Sequence, residues 1–217
     1  MVLMSANFIG VSGIAGSGKD LFCSKVQEFY KKNRRLKRKV HILSLAKQLK
    51  DDISKACINI YNVNPRNCSR QDKEKIRDFI VFHAEVMRQK TKGRYWIDRL
   101  EEEIRNKKRI SKNDIVMISD LRHYEFPKDE VHWITKEKNG IIVHVKKYLL
   151  SDVSETSNLS GARVYPEAPN DKERRNDPKI QKKANYLLDW PQLNGNDLEN
   201  LDDYIKNFCE WYENKLK

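Results

Sequence analysis

The segment Gly13-Ile14-Ala15-Gly16-Ser17-Gly18-Lys19 restricts this chain more than any other. Before it runs a short apolar stretch, Asn7 to Ser12 with Phe8, Ile9 and Val11, and after it Phe22, Val26, Phe29 and Tyr30 recur at helical spacing. The order strand, glycine-rich loop, helix is the context in which a GxxxxGK string wraps an anion. Glycines at 13, 16 and 18 let the backbone approach phosphate oxygens closely, so that the main-chain N–H groups from Gly13 through Ala15, Gly16, Ser17 and Gly18 face negative charge at the positive end of a helix. Lys19 adds a point charge there. An ordinary glycine-rich turn would lack the flanking elements. Position 20, where this pattern usually has Ser or Thr, is Asp20. A carboxylate beside a polyphosphate is repulsive unless a cation lies between, so Asp20 reads as a magnesium ligand, with a helix cap or a pair with a nearby base as the plain alternative.

The rest of the chain alternates strand and helix patterns. Apolar runs at residues 40–43, 115–118, 141–145 and 184–189 predict strands, those at 115–118 and 141–145 covered on both faces. Helical spacing covers residues 47–60, 72–90 and 95–106, with Leu198, Leu201, Ile205, Phe208 and Tyr212 marking a closing helix. Pro127 opens a further helix carrying Val131 and Ile134 that Asn139 and Gly140 close. The expected fold is α/β: a three-layer phosphate-loop kinase architecture with a mostly parallel, about five-stranded sheet flanked by helices, in one domain over residues 1–217. Residues 151–183 stand apart, polar and broken by Pro166, Pro169 and Pro178. They read as a mobile lid whose Arg163, Arg174 and Arg175 close on a transferring phosphoryl group, or as a charged surface loop.

Charge narrows the partners. Lys and Arg number 43 against 31 Asp and Glu, a formal +12 that draws polyanions to the surface. The run from Lys31 to Lys39 holds seven cations and no acid. It suits the solvated end of the first helix, where positive charge favours the dipole, with nucleic-acid or anionic-membrane contact as the sharper alternative. Cys23, Cys57, Cys68 and Cys209 form no CxxC pair, and the five histidines show no metal spacing. A reducing, cytoplasmic setting is expected, without zinc or disulfides. No apolar stretch nears the roughly 20 residues that span a bilayer, and no export leader is apparent.

A second constellation, Ser119-Asp120-Leu121-Arg122 followed by Glu125, falls at the carboxyl end of the strand at 115–118, the edge where open parallel sheets bind ligands. Asp120 is placed there to orient a sugar hydroxyl or a magnesium-bound water, and Arg122 to fork onto a phosphate. A structural Asp–Arg pair is the alternative.

The string Gly18-Lys19-Asp20, the segment Ala46-x-x-Leu49-Lys50, Arg88 with Tyr95-Trp96, and Ser119 to Arg122 with Glu125 together resemble the deoxynucleoside monophosphate kinases of phages and large DNA viruses. Asp189 with Asn194 fits the end of that pattern. The resemblance implies ATP as donor with Mg2+, a (deoxy)nucleoside monophosphate as acceptor, and an acceptor-binding helical region at about residues 45–106. It further implies that Lys50 and Arg88 face the acceptor phosphate, that Trp96 lines the acceptor pocket near Asp120 and Glu125, that Arg122 contacts phosphate, and that Asn194 lies against adenine. The chain departs from that family at Gln48, where Pro is frequent, at Leu21, where Thr is frequent, and at Ala84-Glu85, which stands near a usual Gly-Thr pair. A phosphomevalonate-type kinase shares the loop and the Asp-x-Arg element, and Glu85-x-x-Arg88 is similar to it; the Tyr95-Trp96 pair favours nucleotides. A nucleotide-gated nucleic-acid binder using the basic run is a third reading, and a homodimer is compatible with all three.

Overall fold

The computed structural model describes residues 7–106, 110–150, 162–192 and 201–216. Among the described residues six strands, β1 (Asn7–Ser12), β2 (Val40–Leu43), β3 (Ile115–Leu121), β4 (Ile141–Leu150), β5 (Arg163–Val164) and β6 (Tyr186–Pro191), interleave with eight α-helices. The helices are α1 (Lys19–Lys32), α2 (Leu45–Tyr61), α3 (Arg70–Lys75), α4 (Arg77–Lys90), α5 (Tyr95–Asn106), α6 (Glu130–His132), α7 (Asp171–Gln181) and α8 (Asp202–Lys215). Five strands form a parallel sheet in the order β2-β3-β1-β4-β6, and the two-residue β5 adds antiparallel to the far end of β4. This is the mostly parallel, helix-flanked α/β sheet that the apolar runs predict.

The sheet has a core on each face because its central strands are apolar at every position. Ile9 and Val11 of β1, Ile115 and Met117 of β3 and Val143 of β4 pack with Phe22 and Val26 of α1 and Ile205, Phe208 and Tyr212 of α8. Phe8, Val116, Ile118 and Ile142 turn to the other face and meet Leu45 of α2, Trp96, Ile97 and Leu100 of α5, and Trp133 and Ile134 after α6. Each such side chain contributes about 1.5–3 kcal/mol when fully buried. A third, smaller cluster of Ile53, Cys57, Val63 and Ile76 joins α2 to the α3–α4 region.

Three elements differ from the periodicity. The helix expected at 72–90 is two helices that meet at Ile76, whose φ of −108° and ψ of 3° interrupt the ladder while its side chain is fully buried in the third cluster. Anchoring one Ile against α2 wins over helical continuity there. The helix expected from Pro127 starts at Glu130 instead, because Asp129 closes a turn by accepting from Glu125 N and Phe126 N and caps Glu130 N. It continues as a π turn over Trp133–Glu137, and Asn139 at φ 49° ends it. Within the stretch expected to be a lid, residues 171–181 are helical despite Pro178, started by Asn170, whose side chain accepts from Glu173 N. Among the described residues no helix is long and apolar enough to cross a membrane.

Candidate phosphate-binding site

The loop between β1 and α1 has a fixed shape set by its glycines. Gly13, Gly16 and Gly18 have φ of 132°, 83° and 93°. A methyl on Gly13 would sit 2.2 Å from the Val145 carbonyl oxygen of β4, and one on Gly18 would sit 2.7 Å from the Trp190 ring of β6. The loop is therefore pressed onto the next two strands, and only glycine fits. The Trp190 indole N–H donates to Ser17 O at 3.0 Å and holds the loop's floor. Lys19 leans back over the loop, with Nζ donating to Gly13 O at 2.6 Å and Ile14 O at 2.7 Å. Burial, then the nearby Arg122 charge, brings its pKa down to about 8. An arriving phosphate would favour the charged ammonium and raise this pKa again. Asp20 is exposed on the first turn of α1.

Across the cleft lies the carboxyl end of β3. Asp120, expected at a sugar hydroxyl or metal-bound water, is taken up by structure. Its oxygens accept from Leu45 N at 2.9 Å, Ala46 N at 2.7 Å and Ser44 Oγ at 2.8 Å, which caps α2 and fastens it to the sheet edge. Arg122 projects into the cleft because buried Glu130 accepts from the backbone N–H groups of Arg122 and His123 at 2.7 and 2.9 Å. Burial and the charge of Asp129 push Glu130 up to about 8. The Arg122 guanidinium donates to Glu173 Oε1 of α7 at 3.0 Å, and the other oxygen of Glu173 accepts from Ala15 N at 2.7 Å.

Arg88, expected at the acceptor phosphate, lies inside the protein at 2% exposure. It donates to both oxygens of Asp129, at 2.8 and 3.2 Å, and pairs with Glu125 and Glu130. The Asp129 and Glu125 carboxylates meet its charge beside the Glu130 carboxyl group, so it braces the turn that presents Arg122. Glu125 joins that brace and accepts from Asn176 of α7 at 2.9 Å. Trp96 is core, packed edge-on to Tyr95, although its indole N–H is buried without a partner among the described residues. Lys50 is half-buried on α2 and makes no ion pair among the described residues, which leaves its charge available to an anion. Arg163 does not approach the loop: it pairs with Asp189 at 2.9 Å and lies over the Tyr148 ring. Arg174 pairs with Asp171 at 2.6 Å and lines a cavity together with Ile14 and Ser17 of the loop, while exposed Arg175 donates to Asp171 O. Asn194 lies outside the described residues. In the basic run, Arg38 pairs with Glu213, and Lys31, Lys32, Arg34, Arg35, Lys37 and Lys39 are exposed at the end of the molecule away from the loop.

Several residues of this site escape a reading of the sequence. Glu173, Asn176 and Trp190 act through partners more than 50 positions away, and no local spacing marks them. Beneath the loop, a cavity of about 270 Å3 is lined by Ile14, Ser17, His144, Lys146, Arg174 and Asp177. His144 Nδ1 lies 3.0 Å from Ser12 Oγ, and burial brings its pKa down to about 4, while burial raises Asp177 to about 6. Among the described residues no cluster of three or more His, Cys, Asp or Glu could hold a metal ion. Magnesium would have to arrive with phosphate oxygens, Asp20 being the exposed carboxylate beside the loop.

No protein-family model matches the sequence, and no curated protein matches it. Among solved structures, TT1252 from Thermus thermophilus aligns over 98% of this chain and 99% of its own at 13% identity and a TM-score of 0.47. Kti12 from Chaetomium thermophilum, in complex with ADP-AlF3, aligns over 92% and 97% at 14% identity and a TM-score of 0.34. APE1195 aligns over 94% and 96%, at 14% identity and a TM-score of 0.33. All three likenesses are distant.

Proposed function

We propose that this chain is an ATP-dependent phosphotransferase whose acceptor is a small phosphorylated molecule, a (deoxy)nucleoside monophosphate in the first instance. The observation that carries the reading is the loop itself: a left-handed glycine turn at the start of α1, with Lys19 over it and Arg122 facing it across the cleft. Phosphoryl transfer asks little covalent chemistry of a protein; it asks that two anions be aligned and their charge offset. In this reading the ATP polyphosphate lies on the amides of residues 13–19, with Asp20 holding the accompanying magnesium directly or through water. Magnesium supplies charge neutralisation between the phosphates. Arg122 and Lys50 receive the acceptor phosphate, and Arg174, which lines a cavity with Ile14 and Ser17 of the loop, offsets charge that develops on the group in flight. Transfer is direct and in line, with no phosphoenzyme.

Incubating the protein with labelled ATP and a panel of dNMPs, NMPs and phosphomevalonate tests this. Turnover on at least one nucleoside monophosphate, lost in Lys19→Ala, is expected. Turnover on phosphomevalonate alone would move the acceptor to the other class. No turnover on any of them would sink the proposal.

A further inference from the structure

Glu173 holds the position that a phosphate oxygen would be expected to take. Its carboxylate is gripped from two sides, by the Ala15 N–H of the loop at 2.7 Å and by the Arg122 guanidinium at 3.0 Å, with the Asn170 amide at 3.4 Å. The Glu173 side chain is only 10% exposed. Lys19 stands close enough for its charge to be felt, since Glu173 is the first of the acids that favour the charged ammonium. The helix that carries Glu173 is docked at further points. Asn176 accepts from Tyr124 N at 3.2 Å and donates to Glu125, and Lys172 pairs with Glu85 of α4. These contacts are polar and can be exchanged for contacts to a ligand or to water, whereas Ile180 in the last turn of the helix is buried in the second core cluster.

We propose that Glu173 is an internal phosphate mimic: in the nucleotide-free protein it occupies the anion subsite formed by Ala15 N–H and Arg122, and polyphosphate must displace it, undocking the first turns of α7 while Ile180 stays in the core. A carboxylate and a phosphoryl group seek the same donors, and two anions repel when forced into one set of them. The subsite is therefore either closed by α7 or open to a ligand, and the affinity measured for a nucleotide is its intrinsic affinity reduced by the open fraction. This rests on reading the loop as a phosphate site, and adds regulation to it. The α7 helix also carries Arg174 and Arg175, so undocking moves both arginines when the phosphates arrive.

The test is calorimetric titration of the full chain with MgADP and, separately, with inorganic tripolyphosphate. Glu173→Ala removes the mimic. Asn170→Ala removes the side chain that starts α7 and steadies Glu173 without changing charge. Glu167→Gln removes one negative charge from the segment just before α7 at an exposed side chain. If one molecule in about ten is open at rest, the first two variants bind both ligands up to about tenfold more tightly than wild type, and Glu167→Gln stays within about twofold. The proposal stands only if Glu173→Ala and Asn170→Ala both tighten binding by more than Glu167→Gln. If either leaves affinity unchanged or weakens it, or if Glu167→Gln matches Glu173→Ala, Glu173 is not a competitor. Wild type and all variants failing to bind either ligand would instead overturn the phosphate-site reading, and this inference with it.

Discussion

The two halves of the cleft are built by different means. On the loop side the shape is main chain pressed against packed strands: Gly13 against the Val145 carbonyl, Gly18 against Trp190, and Trp190 packed against Phe22. On the helical side, α2 to α4 share the small cluster of Ile53, Cys57, Val63 and Ile76, and leave Val81, Phe82 and Val86 at 54, 68 and 43% exposure. A site made of backbone conformation tolerates almost no change, whereas one carried by side chains on thinly packed helices can be altered without loss of the fold. Under the proposed function, substrate choice would therefore vary on the helical side while the loop stays as it is.

The largest effect that would break this contrast is at Gly13. Gly13→Ala puts a methyl into a backbone carbonyl at positive φ, and should cost on the order of 3 kcal/mol or more in urea unfolding, and with it nucleotide binding. A cost below about 1 kcal/mol would mean that the loop is not clamped.

Lys19→Met should act in the opposite sense. The Lys19 ammonium ionises near 8 in the folded chain against an ordinary 10.5, so folding penalises the charged form. That penalty is fully present below about pH 8 and fades as pH rises towards 10.5. The variant should be more stable than wild type at pH 7, by up to roughly 3 kcal/mol before the lost hydrogen bonds are counted, and the gap should narrow above pH 8 while phosphotransfer is abolished. Thermal unfolding of both proteins across pH 6–10 checks the sign.

Smaller effects come from the hinge between the halves and from the open helix face. Asp120→Ala removes three hydrogen bonds at the start of α2 and should cost about 1–2 kcal/mol in chemical denaturation, with acceptor KM rising more than that for ATP. Phe82→Ser should change stability by less than about 0.5 kcal/mol. A larger loss would show that the helical side is packed against something after all.

The same contrast explains what could be read from the sequence. The loop was readable because a backbone that needs positive φ must use glycine, and glycine spacing is visible in one dimension. The central strands were readable because burial on both faces leaves apolar runs. The α7 helix was not: only Asn176 and Ile180 are buried, Pro178 sits inside it, and it is held by Lys172, Glu173 and Asn176 through partners on distant segments. For Arg88 and Asp120 the residue type suggested ligands, but the carboxylates around one and the helix start beneath the other come together only in three dimensions.

The hydrogen bond from Trp190 to Ser17 spans 173 positions. As the chain leaves the ribosome the glycine loop emerges 173 positions ahead of the indole that supports it. Over that interval the motif is present but its floor is not, so the loop reaches its finished shape only when β6 slots in beside β4, and a product cut short before β6 would carry the motif without that support.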